Sequence, residues 1–195
     1  MSLKKKYILL ILNMLIFCAY VAYQIFDPKR HILGYSVYGI DVSKWQGQID
    51  WQKVKNDRIV FTFIKATQGE AMTDTCYRQN WKMADSLQFH KGVYHYFKPE
   101  QSATLQAQHF ISQTDLDSTD LPPVIDVEDP FRDKAAMQDS LQVWLDLVEK
   151  HYQRKPMIYA SRKYFQAHLK DRFAHYPIWI AQYQRFPEPK IAKGT

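Results

Sequence analysis

Cysteine is scarce in this chain of 195 residues, and its two cysteines cannot form a disulfide within one domain. Cys18 lies in an apolar segment near the N-terminus, so that only Cys76 belongs to the globular part. A disulfide framework is therefore excluded, and the core has to be held together by packing. A lone cysteine without metal-ligand spacing around it also gives no support to a thiol enzyme or a zinc site.

Long blocks of lysine and arginine are also absent, although the formal net charge is +6. No nucleic-acid-binding motif is present, and a mildly basic surface suits a polyanionic partner such as a cell wall. Residues 41–47 ("DVSKWQG") do not form the glycine-rich turn that a doubly wound nucleotide-binding sheet needs. The sequence therefore argues against nucleic acids and nucleotides as partners.

One long apolar run is present, at residues 7–26 ("YILLILNMLIFCAYVAYQIF"). It carries no charge and has the length of about 20 residues that a membrane-spanning helix requires. Three lysines in residues 1–6 precede it, which predicts a cytoplasmic N-terminal segment and an extracytoplasmic remainder, in the periplasm or cell wall. Large aromatic residues stand where signal peptidase prefers small ones, which favours a membrane anchor, whereas cleavage would give a secreted protein.

Residues 27–37 are predicted to be a linker, and residues 38–195 to form the globular domain. Six β-rich apolar runs predict strands at 38–43, 59–67, 91–97, 122–128, 155–161 and 177–183. Amphipathic stretches between them predict helices at about 50–56, 74–88, 102–113, 134–153 and 161–173. Plausible helix caps are Asp50, Thr73, Ser102 and Ser161. The alternation predicts an α/β fold of parallel strands, and both an open doubly wound sheet and a β/α barrel fit six strands.

Polar side chains collect at the C-terminal ends of the predicted strands, where parallel barrels carry their chemistry. Along the chain they are Asp41, Ser43, Lys65, Thr67, His95, Tyr96, Asp126, Glu128, Tyr159, Gln182 and Tyr183. Each has an ordinary structural explanation, such as helix capping, a core hydrogen bond or an ion pair. Their coincidence at six strand ends nevertheless predicts a functional site.

Asp126 and Glu128, in the stretch "VIDVED", are the most informative members of this set. They are two residues apart on a predicted strand, so that their side chains point the same way with about 6.8 Å between the Cα atoms. Two close carboxyl groups raise each other's pKa, which can keep one of them protonated at neutral pH. Glycoside cleavage needs a proton donor and a nearby negative group, so the pair predicts a carbohydrate-cleaving site.

Several segments together resemble family 25 of the glycoside hydrolases, the lysozymes of the Chalaropsis type. They are "YGIDVSKWQGQIDWQKVK", "FTFIKATQGE", "GVYHYFKP", "PPVIDVED", "MIYAS" and "PIWIAQY", from about residue 38 to residue 183. The resemblance implies a β/α (TIM-like) barrel and an N-acetylmuramidase that cuts the β-1,4 bond between N-acetylmuramic acid and N-acetylglucosamine in peptidoglycan. It implies Glu128 as general acid, Asp126 as its assistant and Asp41 as a further acid of the catalytic site, with no metal or cofactor.

The remaining predicted site residues are assigned to substrate binding. The resemblance places Tyr96 and Gln182 at sugar-contacting positions, and Lys65, Tyr159 and Tyr183 are assigned from their places at strand ends. Two other interpretations stay open: a wall-binding protein with impaired catalysis, and a related barrel glycosidase that acts on another N-acetylated polysaccharide.

The resemblance also sets an expectation for the C-terminus. Chains of the family usually continue with two more strands after the segment that resembles "PIWIAQY", so that six of eight barrel strands and a truncated domain are expected here. An unclosed barrel leaves the first and sixth strands without a partner on one side. Their apolar faces, with Ile40, Val42, Ile178 and Ile180, are expected to be uncovered and to promote association.

Overall fold

The computed structural model describes residues 13–17, 19 and 36–182. The chain divides into two units, Met1–Tyr38 and Gly39–Thr195. In the first unit, residues 13–17 and 19 are helical. No helix among the described residues is long and apolar enough to cross a membrane, which corrects the predicted transmembrane helix. Most of the 7–26 range lies outside the described residues.

The second unit is a parallel β-sheet with helices between its strands. The strands are β1 (Gly39–Val42), β2 (Phe61–Gln68), β3 (Met72–Thr73), β4 (His90–Tyr96), β5 (Val124–Asp126), β6 (Met157–Ser161) and β7 (Ile178–Ala181). The helices are a 3₁₀ turn (Lys44–Gln46), α1 (Trp51–Asn56), α2 (Tyr77–Ser86), α3 (Ala103–Gln113), α4 (Lys134–Tyr152), α5 (Arg162–Tyr164), a π-helical segment (Phe165–Leu169) and α6 (Lys170–Phe173). All six predicted strands and all five predicted helical regions are present within a few residues.

The sheet is open among the described residues and forms a curled half-barrel, which corrects the predicted β/α (TIM-like) barrel. Its strand order is β1-β2-β4-β5-β6-β7, all parallel, and the short β3 pairs antiparallel with β2. A barrel closes only when its two outer strands pair with each other. Here β1 and β7 each pair on one side within residues 36–182, so that the fold is a curled half-barrel.

An aromatic contact shows how strongly the sheet curls. Phe63 of β2 and Trp179 of β7 have ring centroids only 5.1 Å apart. These strands are four steps apart in the sheet, which corresponds to about 19 Å in a flat sheet with strands about 4.8 Å apart. The curl therefore brings opposite sides of the sheet together over its concave face.

The outer strands are better covered than the sequence suggested. Val42 of β1 is buried, and Ile40, Ile178 and Ile180 pack against the core. The expectation that these apolar side chains lie uncovered is therefore wrong, because the curled sheet and its helices cover them.

The face of the sheet opposite the concave side packs against the helices. Helix α4 buries the face predicted for it, with Leu141, Trp144, Leu145 and Val148. His95 of β4 belongs to this layer, where its Nδ1 lies 2.7 Å from Thr67 Oγ1 and its ring stacks on Trp144. Burial lowers the pKa of His95 to about 3. His95 is thus a core residue, although the sequence placed it among the candidate polar residues at strand ends.

Helix caps follow the predicted residues with one exception. The side chains of Asp50, Ser102 and Ser161 accept hydrogen bonds from the first turns of α1, α3 and α5. Thr73 caps no helix because it lies in β3. Asp133, which was not predicted, caps α4 by accepting a 2.7 Å hydrogen bond from the backbone N–H of Ala136.

Candidate active site

A pocket of about 240 Å³ lies on the concave face of the sheet. Six of the eight predicted site residues line it: Asp41, Lys65, Tyr96, Asp126, Glu128 and Tyr159. They come from β1, β2, β4, β5, β6 and the residues just after β5. Because parallel strands end at the same edge of a sheet, residues separated along the chain meet in one site.

Two predicted site residues are not part of the pocket lining. Gln182 follows β7 directly and does not line the pocket, and Tyr183 lies outside the described residues. Four lining residues were not predicted: Trp45, Tyr94, Val124 and Trp179.

The sequence carried a signal for three of these four residues. Tyr94 is two residues before Tyr96 on one strand and therefore shares its face. Trp179 is the register partner of the predicted Tyr159. Trp45 stands inside the quoted "DVSKWQG" segment.

Backbone pairing beyond β5 explains why Asp126 and Glu128 reach the same pocket. The backbone N–H of Val127 donates a 2.9 Å hydrogen bond to the carbonyl oxygen of Tyr159, so that the extended conformation continues past Asp126. Val127 is fully buried, whereas the carboxylic acids on either side of it line the pocket. The side chains of Asp126 and Glu128 therefore point to the same side of the chain, as the sequence predicted. The two acids nevertheless lie at different depths in the pocket.

Asp126 is the deeper acid. Its residue is 8% exposed, and its buried Oδ1 has no hydrogen-bond partner among the described residues. Burial raises the pKa of Asp126 to about 8, and the negative charge of Glu128 adds to the effect, while Lys65 opposes it. Asp126 thus holds a proton at neutral pH, whereas Glu128 is exposed to solvent.

Asp41 adds a third carboxyl group to the pocket. Its residue is open to solvent on one side, yet the surrounding protein removes enough water to raise its pKa. A hydrogen bond from its own backbone partly offsets that rise. The pocket therefore combines three acids, two of which are stabilised in their neutral forms.

Lys65 places a positive charge beside these acids. The residue is 7% exposed, and its Nζ donates a 2.7 Å hydrogen bond to Gln68 Oε1. Burial lowers its pKa, an effect that the charges of Asp126 and Asp74 oppose. Its Nζ also lies 4.6 Å from the centroid of the Tyr96 ring. Lys65 can therefore contact both an acid and a bound ligand.

Tyr96 is held in the pocket wall by Asp129, a residue that the sequence did not single out. The Tyr96 hydroxyl donates a 2.5 Å hydrogen bond to Asp129 Oδ1, and Lys98 Nζ lies 2.6 Å from Oδ2 of the same carboxylate. The Tyr164 hydroxyl donates to the Asp129 backbone carbonyl at 3.1 Å. Burial, the hydrogen bond to Asp129 and the charge of that carboxylate raise the pKa of Tyr96.

Aromatic rings form much of the remaining wall. Tyr159 and Trp179 meet edge to face with centroids 5.0 Å apart, and Tyr94 stands beside Tyr96 along β4. Flat rings of this kind suit the apolar face of a sugar ring. Within the described parts of the chain, no cluster of three or more His, Cys, Asp or Glu side chains could hold a metal ion. Two nearby carboxyl groups are what cleavage of a glycosidic bond by acid-base chemistry requires.

Comparison with known protein families assigns the chain to a family. The profile of the family described as Glycosyl hydrolases family 25 matches residues 40–194. The chain therefore belongs to glycosyl hydrolase family 25, which confirms the resemblance and the predicted class of enzyme.

Relatives and solved structures agree with this assignment. The protein YegX of Escherichia coli K12 is 39% identical over 161 residues, which cover 79% of this chain and 59% of YegX. Lysozyme M1 of Streptomyces globisporus is 30% identical over 163 residues, which cover 75% of this chain and 55% of the relative. A family 25 glycosyl hydrolase structure from Bacillus anthracis has a TM-score of 0.74 at 33% identity, and the match covers 77% of this chain and 72% of that one. The chain thus spans 59% and 55% of the length of these two curated relatives.

Proposed function

We propose that this chain is a peptidoglycan hydrolase that cleaves the β-1,4 bond between N-acetylmuramic acid and N-acetylglucosamine. The observation that carries the proposal is the convergence of Asp41, Asp126 and Glu128 in one aromatic-walled pocket of a family 25 domain. A relative named lysozyme supports the polymer class. The protein then works outside the cytoplasm, where that polymer lies.

Glu128 acts as the general acid in this proposal. It donates its proton to the glycosidic oxygen as the bond between that oxygen and the sugar C1 breaks. The acetamide oxygen of the same sugar forms a bond to C1, and the positive charge spreads to the acetamide nitrogen. Asp126 accepts a hydrogen bond from the N–H of that group and so orients it. Water then adds to C1 as the bond between C1 and the acetamide oxygen breaks, and it gives a proton to the Glu128 carboxylate, which restores the acid.

The different depths of the two acids support these roles. Asp126 is buried at 8% exposure, whereas Glu128 is exposed to solvent, and both line the pocket. The exposed Glu128 can approach the glycosidic oxygen of a long polymer, while the deeper Asp126 can reach the acetamide group of a sugar that enters the pocket.

Product analysis tests the proposed bond. The full chain is incubated with purified peptidoglycan, and the new reducing ends are converted to sugar alcohols with borohydride and identified after acid hydrolysis. We expect the alcohol of muramic acid, and Glu128→Gln serves as the control for contaminating enzymes. The alcohol of glucosamine would show cleavage of the other glycosidic bond. Binding to the polymer without any new reducing ends would instead support the wall-binding interpretation.

A further inference from the structure

Trp45 is an exposed aromatic residue at the edge of the pocket. Its side chain belongs to the pocket lining together with Asp41 and Lys65, yet the residue is 79% exposed. Among the described residues no other large apolar side chain is exposed to this degree. The predicted catalytic roles leave Trp45 without a function.

The turn that carries Trp45 is firmly held. The Ser43 side chain accepts a hydrogen bond from the Trp45 backbone N–H at 3.3 Å, and Gln46 Oε1 accepts one from the Ser43 backbone at 2.8 Å. From the other side, Asp74 Oδ2 accepts a 3.0 Å hydrogen bond from the Lys44 backbone N–H. Asp74 is only 4% exposed, so that this link is shielded from water. The fold thus keeps an indole ring in solvent beside the pocket.

Lys44 adds a charged group to this position. Its Nζ lies over one face of the Trp45 ring, 5.2 Å from the ring centroid. Within residues 36–182 no carboxylate lies within 4.0 Å of this ammonium group. An aromatic face with an adjacent hydrogen-bond donor is complementary to a sugar ring, which has an apolar C–H face and hydroxyl oxygens at its rim.

We propose that Trp45 forms a further subsite, next to the catalytic pocket, that binds a pyranose ring of the glycan strand against its indole face. The Lys44 ammonium donates hydrogen bonds to oxygen atoms of the same sugar. The inference rests on the proposed function. The size of the pocket supports it, because about 240 Å³ is below the roughly 300–1,000 Å³ of typical small-molecule sites, so that a glycan strand extends past it.

The length of the glycan strand provides the test. The full-length protein and its Trp45→Ala variant are assayed on peptide-free glycan strands, both long strands and the shortest strand that is still cleaved. For long strands we expect KM to rise about two- to tenfold, the range of one aromatic stacking contact. For the shortest strand we expect a smaller rise in KM. Trp45→Phe keeps a flat ring and is expected to retain most of the affinity for long strands.

A matched control and a binding measurement complete the test. Leu105→Ala removes another exposed apolar side chain, one that does not line the pocket, and is expected to change neither parameter. Calorimetric binding of long strands to the Glu128→Gln variant, with and without Trp45→Ala, measures the subsite independently of turnover.

Three results would overturn the inference. They are an unchanged KM and affinity for long strands, an equal loss for short and long strands, and a Trp45 effect that appears only on strands bearing peptides. Absence of cleavage by the wild-type protein would count against the proposed function, while the calorimetric comparison would still decide whether Trp45 binds sugar.

Discussion

Asp126 and Glu128 show how much the surroundings of a residue decide its chemistry. Both are carboxylic acids of one pocket, two residues apart, and an unaided pair of this kind has no preferred proton donor. The fold buries Asp126 beneath the aromatic wall and leaves Glu128 in contact with solvent. Burial therefore keeps Asp126 neutral in the free protein, and the exposed Glu128 can approach a glycosidic oxygen.

Replacement of Glu128 tests the assignment of the general acid. We expect Glu128→Gln to lower kcat about 10²–10⁴-fold, because the amide cannot donate an acidic proton. The melting temperature should change little, since Glu128 is exposed. Release of reducing ends from peptidoglycan measures the rate. Glu149→Gln on α4, outside the pocket, is the matched control and should keep full activity. Activity of a folded Glu128→Gln protein close to that of wild type would refute the role.

Asp129 is predicted to be a positioning residue for Tyr96. A double-mutant cycle of Asp129→Asn and Tyr96→Phe should give a coupling free energy of about 0.5–3 kcal/mol in urea unfolding, because the two side chains share a short hydrogen bond. Asp129→Asn should also raise KM more than it lowers kcat. Additive effects would show that the hydrogen bond contributes nothing measurable. Asp139→Asn, which removes the exposed ion-pair partner of Arg172, is the control.

Neighbouring residues of strand β4 have different surroundings, as Asp126 and Glu128 do. Its alternation sends Tyr94 and Tyr96 to the pocket and His95 to the helix layer, so that one strand supplies both the site and the core. At the opposite end of the strand, Lys91 Nζ contacts Asp120 Oδ1 at 2.7 Å and Asp85 Oδ1 at 3.0 Å. These ion pairs connect the start of β4 with the end of α2 and with the loop before β5.

The two partners of Lys91 allow a prediction about this connection. The Asp120 side chain is 3% exposed and that of Asp85 is 67% exposed. Lys91→Met leaves the buried Asp120 carboxylate without its cationic partner and should cost about 3–5 kcal/mol. Asp85→Asn removes a solvent-screened partner and should cost no more than about 1 kcal/mol. Urea unfolding of the two variants measures the difference. Equal losses would show that burial does not govern this ion pair.

For the whole molecule, the buried proton of Asp126 links stability to pH. Its pKa is about 8 in the folded protein and 3.8 in the absence of burial, so that the folded state binds this proton more tightly. The resulting stability is fully present below pH 3.8 and is lost as pH rises through 8. The largest slope that one such group can give is about 1.4 kcal/mol per pH unit.

Asp126→Asn isolates this contribution, because asparagine carries no proton to lose. We expect the variant to gain stability over wild type progressively from pH 4 to pH 8, and the gain to level off above pH 8. Urea unfolding of both proteins across this range measures it. A difference between Asp126→Asn and wild type that stays constant over the same pH range would show that Asp126 is not held neutral.

The sequence by itself determined those features that depend on near neighbours along the chain. Hydrophobic periodicity located the six strands and five helical regions, and side-chain alternation placed Asp126 and Glu128 on one side of their strand. The three caps Asp50, Ser102 and Ser161 were readable because a cap bonds only to the turn that follows it. Thr73 was misread because its strand depends on pairing with a neighbouring strand.

Tertiary structure alone decided the features that depend on residues distant in sequence. The outer strands of the sheet do not pair among the described residues, so that a pattern shared by open and closed sheets produced a curled half-barrel here. The curl brought Trp179 to Phe63 and into the pocket wall. It also left Asp126 buried and Glu128 exposed. The physical reason is that desolvation and ring packing arise from the three-dimensional surroundings of a side chain, which local sequence patterns do not contain.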